Sequence, residues 1–149
     1  MDLNHYLRLS FTYAINAKKL GDGPYGSVIV NKNSEIIARA GNTTTTDNSV
    51  TYHAEINAIQ QAEYNSGAGN LNGSTIFCSA EPCPMCASAI VWSGLQRVIY
   101  GVSIDTLVEK GESQIVIPCR ELFGKAERSI SVEGPLLEKE GLEVFEKEF

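Results

Sequence analysis

Positive charge is in short supply: Lys and Arg total 12 against 18 Asp and Glu, for a net charge of −6. A surface of that sign repels polyanions, so nucleic acid is not expected as a partner. No run approaches the ~20 consecutive apolar residues of a membrane span, and a membrane association is not expected either. The opening Met1-Asp2-Leu3-Asn4-His5 has no basic n-region and no apolar h-region, so no export signal is read there. The 4 cysteines are therefore expected as reduced thiols or metal ligands in a cytoplasmic protein, not as a disulfide framework. Internal repeats and low-complexity tracts are missing apart from the short run Thr43-Thr44-Thr45-Thr46. What is present is ordinary: 43% hydrophobic and 20% charged residues over 149 positions, the makings of a packed core in a single domain spanning 1–149.

Leu3, Leu7, Phe11, Ala14 and Ile15 recur at helical spacing, with Lys18-Lys19 in the last turn and Gly21 beyond, which predicts an opening helix. Tyr25 to Val30 and Glu35 to Ala40 are β-prone runs joined by Asn31-Lys32-Asn33-Ser34, a hairpin pattern. After a polar loop from Asn42 to Ser49, His53 to Tyr64 reads as a second helix ended at Gly67. Ser74 to Ala80 has little polar alternation, as in a strand covered on both faces. Pro84 to Ser93 predicts a third helix, Arg97 to Gly101 and Ser129 to Glu133 two further strands, and Pro135 to Phe149 a final helix. Val102 to Lys125 shows no clear period. The order β-β-α-β-α-β with helices outside implies a helix/sheet/helix sandwich.

Two fragments carry the chemistry. Cys83 and Cys86 are spaced i, i+3 and share one side of a first helical turn, where Pro84 costs nothing because its missing N–H would be unpaired anyway. Free N–H groups and the positive end of the helix dipole favour thiolates there. His53 supplies an imidazole as third ligand, and zinc held by three protein ligands keeps an open fourth position, the mark of a catalytic site. Two thiolates cancel the zinc charge, so a proton acceptor must assist, and Glu55 is the candidate. Residues i and i+2 of a regular helix point apart; that objection disappears if His53 sits at the frayed start of the helix. The alternative is a structural zinc closed by a fourth residue such as Cys78 or Cys119.

His53-Ala54-Glu55 together with Pro82-Cys83-Pro84-Met85-Cys86 resembles the cytidine-deaminase-like superfamily, zinc nucleobase deaminases with an H-x-E and P-C-x-x-C signature. Within it the chain is similar to guanine deaminases, tRNA adenosine deaminases and yeast-type cytosine deaminases. The similarity runs from about Leu3 to Gly101 and takes in Gly23-Pro24-Tyr25-Gly26 and Gly41-Asn42. The resemblance implies an α/β fold, a three-layer α/β/α sandwich with a five-stranded mixed sheet, assembled as a homodimer. It implies one zinc ion per chain on His53, Cys83 and Cys86, proton shuttling by Glu55, and a hydrogen bond from Asn42 to the base. Ser79-Ala80-Glu81-Pro82-Cys83 and Val91-Trp92-Ser93-Gly94 look most like guanine-type enzymes, so a small base or nucleoside, guanine first, is the expected substrate. A tRNA-specific adenosine deaminase and a cytosine or cytidine deaminase are the alternatives. Relatives acting on tRNA carry basic residues near the C-terminus, whereas residues 133–149 hold six Glu and two Lys.

Tyr25, Asn42, Ala54 and Asp105 make up the candidate substrate contacts. Each has a plainer reading: Tyr25 as a core aromatic, Asn42 as a turn residue, Asp105 as a helix-terminal acid. Asp105 enters because open α/β sheets place ligands beyond the carboxyl ends of their strands. Trp92 is expected in the core, Cys119 as an inert, partly buried thiol, and His5 on a helix surface. The resemblance assigns nothing to residues 102–128.

Overall fold

The computed structural model describes residues 1–148. Helix α1 (Leu3–Lys19) is capped by Asp2, whose side chain accepts from the His5 N–H at 3.2 Å, and ends on Lys18 and Lys19, charges that suit the negative end of its dipole. Strands β1 (Gly26–Val30) and β2 (Ile36–Gly41) form the expected hairpin. Its turn is closed by Asn31 Oδ1, which accepts from the N–H groups of Asn33 and Glu35. Helix α2 (Ala54–Ser66), strand β3 (Thr75–Ala80), helix α3 (Pro84–Ser93) and strand β4 (Arg97–Val102) follow. Gly94, at φ +94°, ends α3 in the left-handed conformation that glycine adopts without penalty. The stretch without a period contains two short helices, α4 (Ile104–Glu109) and α5 (Cys119–Phe123), before β5 (Ser131–Glu133) and α6 (Glu138–Glu146).

The five strands form one mixed sheet in the order β2-β1-β3-β4-β5. Strand β1 runs antiparallel to both its neighbours, and β3, β4 and β5 are parallel. Alternation divides the side chains between two faces. Val28, Val30, Phe77 and Ile99 pack with Leu7, Phe11 and Ala14 of α1 and Val144 of α6. Ile29, Ile76, Cys78 and Val98 pack with Ala58 and Ile59 of α2, Ala87 and Ile90 of α3, and Phe123 of α5. Both layers being helical, the central strands are buried throughout and read as nearly unbroken apolar runs.

Strand boundaries shift by one or two residues from expectation, β5 beginning at Ser131 where Ser129 was expected, and two helix boundaries also differ. Helix α2 begins at Ala54, with His53 as its non-helical cap. Helix α6 is shorter than Pro135–Phe149: the Leu136 N–H donates to the Tyr100 carbonyl at 3.1 Å, which holds the chain extended beside β4 until Leu137. Phe149 lies outside the described residues.

Helix α1 crosses β1 with backbone against backbone at Gly26. A Cβ there would penetrate the Ser10 carbonyl oxygen and lie 2.5 Å from the Ala14 nitrogen. Neither obstacle is a movable side chain, so Gly26→Ala is expected to cost roughly 2–4 kcal/mol through overpacking. Urea unfolding of the variant measures it, and an unchanged midpoint would mean that α1 slides freely on the sheet.

Candidate metal centre and cavity

The carboxyl ends of β2, β3 and β4 and the start of β1 lie on one side of the sheet, as the pairings Gly26 with Gly41 and Ser27 with Cys78 require. Two helices start there. His53 caps α2 with φ −67° and ψ 157°, and Cys83 caps α3 with φ −67° and ψ 168°, Pro84 following in the first turn. The loop that delivers His53 is fastened from both sides. Asn57 Nδ2 donates to the Gly41 carbonyl and to Thr43 Oγ1. Asp22 accepts from the N–H groups of Thr45 and Thr46 and from Thr46 Oγ1.

His53, Cys83 and Cys86 present ligand atoms within 4.8 Å of one another, the one such group among the described residues. Both sulfurs lie 3.6 Å from His53 Nδ1. Tetrahedral zinc with Zn–S of about 2.3 Å and Zn–N of about 2.0–2.1 Å would set each S···N separation at roughly 3.6 Å, so the donors fit that ion. Cys78 and Cys119 are fully buried in the core and do not join the group, which leaves three ligands and no closing fourth.

The charges agree with the geometry. A hydrogen bond from Cys86 brings the Cys83 thiol down to about 4, while Cys86, holding the shared proton, is raised. The His53 ring is raised by its hydrogen bond to Cys83. Glu55, in the first turn of α2, is 6% exposed, and burial pushes its carboxyl up to about 7. A carboxyl that exchanges a proton near neutrality is suited to general acid–base work.

His53, Cys83 and Glu55 open onto a cavity of about 450 Å³, with Tyr25, Val50, Met85, Ser113, Gln114 and Ile115 among its walls. Tyr25 thus reaches the cavity; its hydroxyl accepts from Gln114 Nε2 at 2.9 Å, and burial raises it to about 12. Asn42 is buried beside Tyr25, its N–H donating to the Tyr25 carbonyl at 3.0 Å, and is not among the residues lining the cavity. Its Oδ1 already accepts from the Gly23 and Thr44 N–H groups and from Thr44 Oγ1, leaving Nδ2 as its unused donor. Ala54 is fully buried at the first position of α2, where its N–H has no carbonyl one turn back to bond.

Asp105 is corrected: it is exposed in the first turn of α4 and does not line the cavity, a place where an acid suits the helix dipole. Trp92, expected in the core, is 80% exposed on α3. Cys119 is more deeply buried than expected, and His5 is exposed as expected. Ser113, Gln114 and Ile115 had no signal, because a segment without regular structure has no period. Glu81 had one, a lone acid between an apolar strand and the Cys-Pro-Met-Cys turn.

The family model for the cytidine and deoxycytidylate deaminase zinc-binding region matches residues 1–102. A "Probable cytosine deaminase" from Schizosaccharomyces pombe is 36% identical over 142 residues, 92% of this chain and 86% of that protein. A guanine deaminase from Bacillus subtilis is 39% identical over 112 residues, 73% of this chain and 71% of that protein. A solved structure from work on A-to-I editing by tRNA:A34 deaminases at the wobble position of transfer RNA superposes with a TM-score of 0.80. It is 31% identical and covers 95% of this chain and 99% of that one.

Proposed function

The chain belongs to the family of cytidine and deoxycytidylate deaminases with a zinc-binding region, and from that premise we propose that it hydrolyses the exocyclic amine of a free nucleobase or nucleoside, guanine-type purines first. The observation that carries this reading is the His53, Cys83, Cys86 triangle beside the buried Glu55 carboxyl on one cavity of about 450 Å³. That volume lies in the lower part of the ~300–1,000 Å³ range of small-molecule pockets.

In the proposed mechanism His53 Nδ1 and the sulfurs of Cys83 and Cys86 would hold a zinc ion. Bound there, zinc would supply Lewis acidity toward a water molecule. Glu55 takes a proton from the attacking water and delivers it to the ring nitrogen next to the amine-bearing carbon. It then moves the second proton to the departing amine, so that base and water become the keto base and ammonia. Asn42 Nδ2, with its oxygen engaged in the loop, donates to an acceptor on the ring edge. Tyr25, Met85 and Ile115 cover the ring and exclude water.

The strings Gly23–Gly26, Ser79–Cys83 and Val91–Gly94 and the Bacillus subtilis relative support guanine. The Schizosaccharomyces pombe relative, matched over 92% of the chain, favours cytosine as second reading. The net charge of −6 weighs against tRNA. The enzyme is read as one catalytic domain over 1–149, cytoplasmic in keeping with its four free cysteines. The exposed Trp92, with Val91 and Leu122 on the same groove, supports a homodimer.

The test is ammonia release from guanine, guanosine, adenine, adenosine, cytosine and cytidine by one preparation, sized by sedimentation at an expected two chains per particle. Guanine is expected to show the highest kcat/KM, and an anticodon stem-loop is expected to yield little inosine at physiological salt. A value for cytosine or adenosine at least about tenfold above that for guanine overturns the preference and leaves the metal chemistry standing.

A further inference from the structure

Glu81 takes no part in the chemistry above, yet it is a carboxylate only 7% exposed just past the end of β3, where it also lines the cavity beside Cys83. Its own N–H donates to the Val102 carbonyl at 2.7 Å, which pegs it to β4. Its two oxygens are engaged separately. Oε1 accepts from the Ile104 N–H at 2.9 Å and Oε2 from the Cys119 N–H at 2.7 Å, the first residues of α4 and α5. Between those ends the chain crosses the cavity mouth, where Ser113, Gln114 and Ile115 form part of the wall and Gln114 reaches Tyr25. One buried carboxylate therefore holds both ends of the segment whose middle faces the substrate.

We propose that Glu81 is a positioning residue for substrate recognition, setting where Ser113, Gln114 and Ile115 stand over the cavity and thereby the affinity for the base. The proposal rests on the deaminase reading of that cavity. Bonds from backbone N–H groups to a buried carboxylate are charge-assisted and short. A segment with little regular structure otherwise costs conformational entropy to hold in one place. Glu55 and the three metal ligands make no contact through this pair of bonds, so proton transfer is left alone.

Glu81→Gln tests it, because the amide keeps the shape but turns an N–H toward one of the two backbone N–H groups. Loss of one charge-assisted bond predicts a KM roughly ten- to hundredfold higher, with kcat within about threefold of the original. Zinc content should be unchanged. Hydrogen exchange at Ile104 and Cys119, read without substrate, should quicken while Phe77 in β3 keeps its protection. Glu81→Asp, which retains both acceptors, should recover part of the affinity. Combined with Gln114→Ala, the KM effects should fall short of additive. An unchanged KM overturns the proposal, as does a parallel fall of kcat with faster exchange throughout the sheet, the sign of a merely structural role. If the original protein deaminates none of the bases tried, it is the deaminase reading that fails. Unchanged exchange at Ile104 and Cys119 in Glu81→Gln then overturns the role of Glu81 independently.

Discussion

Glu55→Gln is expected to keep the fold and a full equivalent of zinc while losing turnover by a factor of about 10³ or more. The amide occupies the space of the carboxyl, so the first turn of α2 and its packing are unaltered. The ligand atoms on His53, Cys83 and Cys86 are untouched. What disappears is the carboxyl in the cavity wall that is free to take a proton from water and return it to the base, since both oxygens of Glu81, the other acid lining the cavity, are engaged by the Ile104 and Cys119 N–H groups. Burial already raises that carboxyl to about 7, so a neutral amide is at least as well tolerated in its place. The measurement is kcat on the best base, beside metal content and a thermal melt. Turnover within about tenfold of the original, with zinc and melt unchanged, would remove Glu55 from the mechanism.

Cys83→Ala and His53→Ala are each expected to lower bound zinc from one equivalent to a small fraction after dialysis, with activity lost in proportion. With only three protein donors, deleting one leaves two, too few to hold zinc against buffer. The native state should also lose stability, because metal that binds only folded protein contributes its binding free energy to folding. Chelation of the original protein should reproduce the fall in melting temperature. Cys78→Ser and Cys119→Ser are the controls: both thiols are buried away from the triangle, so zinc should be retained even where the core is weakened. Loss of zinc in either control, or a full equivalent in both ligand variants, would reassign the site.

The sequence by itself determined the elements with a strong period and a physical stop: α1 with its Leu7, Phe11, Ala14 stripe and terminal lysines, the hairpin closed by Asn31, and the apolar strands β3 and β4. It also pointed to the donors, because Cys83 and Cys86 share one side of a first helical turn by local geometry, and His53 entered as third ligand from the residue pattern and the resemblance it carries. Tertiary structure decided what depends on distant chain segments meeting. That His53 offers Nδ1 at 3.6 Å to both sulfurs follows from α2 and α3 starting on the same side of the sheet, and that Cys78 and Cys119 stay out follows from the sheet burying them elsewhere. Asp105 shows the limit of a strand-end rule, since a helix turned its side chain to solvent. Ser113, Gln114 and Ile115 owe their place over the cavity to Glu81 and Tyr25, residues distant in sequence. No local pattern encodes such a segment, because its position is held by bonds that exist only once the sheet has brought β1, β3 and α5 together.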